Sequence, residues 1–300
     1  MSSQSLANRP AGGGPTFQQR RMINLVISYG MAAIAIFFAL YPVLMIFSAS
    51  LNPTGSLQSR GLIPDNASFE NYQRLYTDPL NPFPRWMWNS IRVSGITTVL
   101  AVLITAFAAY AFSRFRFKGR RNLLLTLVLV QVFPNLLSLV SLFLLLLELG
   151  QYIPFLSVGT HGGLILIYLG GVMGLNVWLM KGFFDSVPRE LDESAKMDGA
   201  SDWQIFWRII FPLVRPILAV IAILTFIGTF SDFLLASVIL QRAEQYTFMV
   251  GLYRFILVQF NQNWGVFAAG AVIGALPVVL IYLFLQDQIV GGLTAGSVKG

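Results

Sequence analysis

Cysteine is absent from this 300-residue chain, histidine occurs once, and charged residues make up only 11 %. Without cysteine there is no disulfide framework, no thiolate metal site and no thiol nucleophile. The lone His161 falls in an outer connecting segment, where a surface role is expected rather than catalysis or metal binding. No segment reads G-x-x-x-x-G-K-[ST], so the chain lacks a Walker-type phosphate loop and energy must come from another chain or from an ion gradient. No span or loop pairs a nucleophile with a suitable base, which disfavours an enzyme. No internal repeat suggests the inverted architecture common in secondary transporters.

Apolar residues are what the chain has in abundance, 56 % of the total, with a mean hydropathy of +0.69. A chain so short of charge cannot present an ordinary soluble surface, so an all-α integral membrane fold is expected. Crossing a hydrocarbon core takes about 20 mostly apolar residues, and six stretches qualify, near 23–48, 90–112, 123–147, 162–184, 214–240 and 266–285. The apolar run 247–260 is short and interrupted by Arg254, which fits an external or re-entrant helix.

Basic residues set the orientation. With the amino terminus inside, fourteen Lys and Arg fall on the cytoplasmic side against five outside, a strong positive-inside bias that places both termini in the cytoplasm. The net charge of +7 follows from that inner face, and no nucleic-acid partner is needed to explain it. The basic run from Ser113 to Arg121 reads as a topology determinant beside anionic lipid. Residues 1–22 form a cytoplasmic leader and 23–300 a single transmembrane domain, with outer loops at 51–88 and 241–264 and a tail at 286–300. Trp86 and Trp88 are expected to anchor the second span at the interface.

One long polar stretch, 185–212, lies between apolar spans on the cytoplasmic side. Ser186 and Pro188 suit a helix start, and Leu191 and Ala195 recur on one face. Gly199 ends that helix, and Ser201 with Gln204 forms a capping box for a second. Trp203, Phe206, Trp207 and Ile210 then line an apolar face, a shape that suits the groove of a soluble partner. A connector lying on lipid headgroups is the other reading these residues allow.

The spacing of Glu193, Ser194 and Ala195, then Gly199, then Ile209, Phe211 and Pro212 resembles the EAA signature of the membrane subunits of ATP-binding-cassette importers. Ser194 and Phe211 stand where that signature has Ala and Leu. Further segments, among them 152–155, 160–163, 168–171 and the closing 290–300, are similar to the maltose-type permease subunits of that family. The resemblance implies a type I importer permease with six transmembrane helices and a cytoplasmic coupling-helix loop in the bacterial inner membrane. It also implies partners: a second, homologous permease subunit, two ATPase subunits that carry ATP and Mg, and an extracytoplasmic sugar-binding protein. Glu190, Glu193, Ser194, Ala195, Asp198, Gly199, Ala200, Trp203, Phe206 and Trp207 would then form the ATPase-coupling surface. Thr294, Ala295, Gly296 and Lys299 would reach the ATPase interface, and Tyr253, Gln259, Asn261 and Asn263 would lie toward the binding protein. Glu193 is expected to make a charge-assisted contact with the ATPase, the alternative being an internal pair with Arg189.

Polar residues inside the spans are few: Gln131 and Asn135 beside Pro134, Asn176, and Ser231 with Asp232. A mid-depth acid costs about 3 kcal/mol, so Asp232 needs a partner or a wet surrounding. The pairs Gly170 with Gly174 and Gly270 with Gly274 suit close helix packing. No Arg or Lys sits deep in a span except Arg92, near an outer end, which favours a neutral sugar over an organic phosphate. A secondary transporter driven by an ion gradient is the rival reading, with Asp232 as its one candidate carboxylate.

Overall fold

The computed structural model describes residues 17–55, 64, 66–131, 135–257 and 263–297, with side chains at all of these except 135, 136 and 289–297. Every regular element among the described residues is helical. The first, α1 (Phe17–Ser50), begins inside the expected leader, because Gln18 to Arg21 are good helix formers that extend the apolar segment behind them. It packs on the last helix and is otherwise exposed as far as Phe47. The short α2 (Glu70–Thr77) is the one α-helix in the proline-rich outer segment among the described residues.

The hub is α3 (Phe83–Arg114), started by Pro84 in its first turn. Its buried face carries Ser90, Ser94, Thr97, Ala101, Thr105 and Ala109. These small residues let the backbones of α6 (His161–Ser186) and α10 (Arg215–Phe230) come close. The expectation for Trp86 is overturned. Its side chain is fully buried and donates from Nε1 to the carbonyl of Ala243 at 2.7 Å, while Trp88 remains exposed as an interfacial tryptophan should be.

Among the described residues four helices are long and apolar enough to cross a membrane alone, namely α1, α3, α6 and the last, α13 (Trp264–Ser297). Across the expected span 123–147 lie two helices, α4 (Arg120–Val130), which ends in a turn at Gln131, and α5 (Asn135–Tyr152), with 132–134 outside the described residues. The span expected at 214–240 also differs, ending as α10 at Phe230 before the separate α11 (Leu234–Ile239). Near the start of α3, α12 (Phe248–Leu257) is a ten-residue helix, too short to cross. It packs on α3 and α13, where Gly270 and Gly274 make room for Leu252 and Phe248. The tail expected from 286 is a continuation of α13, helical as far as Ser297.

Candidate functional site

The hook between α6 and α10 is built from α7 (Glu190–Met197), α8 (Asp202–Ile205), a π-turn at Phe206–Ile210 and α9 (Phe211–Leu213). Ser186 does not start α7, because α6 runs through it and its hydroxyl bonds back to the Phe183 carbonyl at 2.7 Å. The end of α7 obeys the local chemistry closely. Gly199 has φ +83° and donates to Lys196 O, while Ala200 donates to Ala195 O, the paired bonds of a Schellman motif. The capping box is formed, with Gln204 N–H bonded to Ser201 Oγ at 3.3 Å and Ser201 N–H to Gln204 Oε1 at 2.9 Å. Across this turn Lys196 and Asp202 pair at 2.8 Å, a hydrogen bond that lifts the lysine above its ordinary pKa.

Two prolines bend the chain where the hook joins the bundle. Pro212 and Pro216 have no N–H to give, and the helix from Asp202 to Leu213 meets α10 at a bend of 76°. The hook thereby turns from crossing the end of the bundle to running along it.

The apolar face expected to meet a partner is turned inward. Phe206 and Ile210 are buried with Ile205, Ala195, Tyr110, Met180 and Phe184 in one cluster, and Trp207 is half-buried against it. A single chain's helix ends supply the apolar groove that the sequence pattern assigned to another protein. Trp203 remains 63 % exposed, with its ring stacked on Phe107 at 5.8 Å. Glu190, Glu193, Ser194, Met197, Asp198 and Gly199 form the outward surface, with Ala200 half-buried beside them. Glu193 makes no ion pair among the described residues, because Arg189 is turned away and donates to the carbonyl of Ser113 at 3.0 Å.

Two residues that hold the hook were not singled out by sequence. Arg114, at the end of α3, pairs with Asp192 of α7 at 2.6 Å and also donates to Val187 O at 3.0 Å. Both side chains of the pair are nearly buried. Burial raises the Asp192 carboxyl above its usual range, and Arg114 opposes that rise.

Within the bundle, α4, α5, α6, α10 and α11 enclose an open cleft of about 930 Å³. It brings Gln131 and Asp232 together with Ser138, Tyr168 and Thr229. Asp232 has the partner its burial demands, accepting from the Tyr168 hydroxyl at 2.8 Å and from Ala236 N–H at 3.0 Å. Gln131 donates to Gly171 O at 2.8 Å, and Gly174 permits the close approach of α4. Asn176 is half-buried on α6 and does not line this cleft. Asn135 opens α5, and its side chain lies outside the described residues.

At the end of α6 opposite the hook, His161 has a bridging role rather than the surface role expected. Nδ1 lies 2.6 Å from Arg92 Nη2 and Nε2 lies 2.8 Å from Gln245 O, so the ring joins α3, α6 and the turn before α12. Tyr253 is exposed with its ring 4.8 Å from Phe233. Asn263 caps α13 by accepting from Val266 N–H at 3.1 Å. Gln259, Asn261 and Lys299 lie outside the described residues. Thr294, Ala295 and Gly296 occupy the last turns of α13, with only their backbone described.

The family described as binding-protein-dependent transport system inner membrane component matches residues 99–293. The maltose/maltodextrin transport system permease protein MalG of Vibrio vulnificus strain YJ016 is 44 % identical over 272 residues, covering 87 % of this chain and 91 % of that protein. The galactooligosaccharides transport system permease protein GanQ of Bacillus subtilis is 42 % identical, covering 94 % of this chain and 98 % of its own length. Among solved structures, a chain of a bacterial ABC transporter involved in import of the acidic polysaccharide alginate superposes with a TM-score of 0.76 at 26 % identity. The match spans 91 % of this chain and 99 % of that one.

Proposed function

The chain belongs to the binding-protein-dependent transport system inner membrane component family, and from that premise we propose how it couples and what it carries. It is a permease subunit of an ABC sugar importer of the MalG type, not an enzyme. ATP and Mg belong to two separate ATPase subunits in this reading. A second permease subunit completes the path, and an extracytoplasmic binding protein delivers the sugar. The cargo is a neutral oligosaccharide of the maltose and maltodextrin class. No Arg or Lys lines the cleft, where amide, hydroxyl and carboxylate groups suit a polyhydroxyl ligand and would repel a polyanion.

The observation that carries the coupling role is the hook's division of labour. Its apolar side is fixed to α3, α6 and α10, and Arg114 and Arg189 tie it to the end of α3, so it moves with them. Its acidic side, with Glu190, Glu193 and Asp198, remains open for cationic groups of an ATPase. Closure of the ATPases around that surface tilts the helices that form the cleft, and the pathway alternates between its two faces.

The test is ATP hydrolysis by the chain purified with its accompanying subunits, with and without maltooligosaccharide-loaded binding protein. The loaded protein is expected to stimulate hydrolysis, and Gly199→Asp to abolish that stimulation while the assembly stays in the membrane. A Cβ at Gly199 meets nothing of this chain within 4 Å, but at φ +83° any side chain strains the turn, so Gly199→Asn, better suited to a left-handed backbone, is measured beside it to separate that strain from contact with a neighbouring subunit. Undiminished stimulation in Gly199→Asp would overturn the coupling role. Sugar uptake that persists without ATP and collapses with an ion gradient would overturn the importer reading itself.

A further inference from the structure

A second cavity, of about 630 Å³, lies at the turn between α3 and α4, on the face that the basic-residue asymmetry places in the cytoplasm. Arg120, Arg121 and Asn122 reach it from the first turn of α4, Lys181 from α6, and Phe117 and Leu124 add apolar wall. Gly119, at φ +82°, makes the left-handed turn that folds the arginine pair beside Lys181.

We propose that this cavity seats the phosphate of an anionic phospholipid headgroup. A topology signal requires only positive charge on one side of the membrane, whereas here three cations from two elements converge on one concave site. Among the described residues no carboxylate lies within ion-pair distance of Arg120 or Arg121, and Asp185, the carboxylate paired with Lys181, also feels the Arg120 charge. Guanidinium and ammonium groups in a pocket at the inner membrane face are the recognised chemistry for lipid phosphates. Leu123 and Leu125 are exposed on α4 just beyond the same turn, apolar surface for acyl chains that a soluble phosphate would not use.

The site is joined to the hook. Lys181 pairs with Asp185, Asp185 accepts from Ser113 Oγ at 2.7 Å, and the Ser113 carbonyl accepts from Arg189 beside α7. A phosphate that draws Lys181 away from Asp185 loosens one end of that chain, so lipid composition tunes how firmly the hook is held.

The experiment reconstitutes the full-length chain with its accompanying subunits in nanodiscs of phosphatidylcholine, alone or equimolar with phosphatidylglycerol, and measures retained lipid by native mass spectrometry. The readout is independent of cargo. Phosphatidylglycerol is expected to be retained selectively, and Arg121→Gln and Lys181→Gln each to weaken retention about fivefold. Leu124→Trp fills the cavity while keeping every cation, so it leaves insertion signals intact and is expected to weaken retention as well. Arg215→Gln, an exposed cation outside the cavity, serves as the control and is expected to retain lipid normally. Equal losses in Arg215→Gln, or full retention in Leu124→Trp, would mean attraction to a charged surface and overturn the proposal. Displacement of the lipid by inorganic phosphate at matched ionic strength would assign the cavity to a soluble anion and overturn the lipid as its occupant.

Discussion

Arg114 illustrates what burial does to a residue that sequence reads as a topology marker. Its partner Asp192 is 78 positions away, and no local spacing connects them. Removing one member of a buried pair strands the other charge, at a cost of about 3 kcal/mol, whereas replacing both with apolar residues is often close to neutral. Arg114→Met is therefore expected to lower the thermal midpoint of the detergent-solubilised protein, and Arg114→Met with Asp192→Leu to recover most of the loss. A double variant no more stable than the single one would refute this account. Because burial raises the Asp192 carboxyl, the folded chain holds a proton there more tightly than the unfolded chain does. This contribution to stability is accordingly full at acid pH and declines as pH rises above 3.8. Midpoints measured across the acid range should show that decline in the parent and not in Asp192→Asn.

At the level of elements, legibility tracked locality. The Schellman turn at Gly199 and the capping box at Ser201 are decided within a few residues, and the sequence was enough to place both. The direction faced by the apolar stripe of Phe206 and Ile210 was not, because a stripe states that something covers it without stating what. Trp86 was misplaced for a related reason: tryptophan near a span end usually sits at the interface, but here α12 lies over it. Gly251 allows that approach, since a Cβ at this position would overlap the Trp86 ring. Gly251→Ala should separate α12 from α3 and destabilise the outer end by about 2 kcal/mol, a typical overpacking cost. Adding Trp86→Leu should restore part of it in the same denaturation assay, and a double variant with summed losses would argue against the contact.

For the whole molecule, the apolar segments were found from composition and the helix breaks were not. Hydropathy averages over the turn at Gln131 that ends α4 and over Ser231 to Phe233, because the flanking residues there are as apolar as a continuous span. The orientation is open to a direct test that the missing cysteines make clean, since no native thiol competes. Lys118→Cys and Met197→Cys should resist a membrane-impermeant maleimide in intact cells and react after lysis, whereas Arg242→Cys should react at once. The reverse pattern would invert the topology. The bend between α9 and α10 gives this orientation a mechanical meaning. The twelve residues from Asp202 to Leu213 make an arm of about 18 Å and the sixteen of α10 one of about 24 Å, at 1.5 Å per residue. Joined at 76° and turning as one piece, they form a bell crank with a gear ratio a little above one. Were the two arms to turn together, a push of a few ångströms on the hook would emerge as a slightly larger stroke at the far end of α10, two residues before Asp232. Because the Tyr168 hydroxyl ties that end of α10 to α6, which holds the hook as well, the two helices would share the stroke.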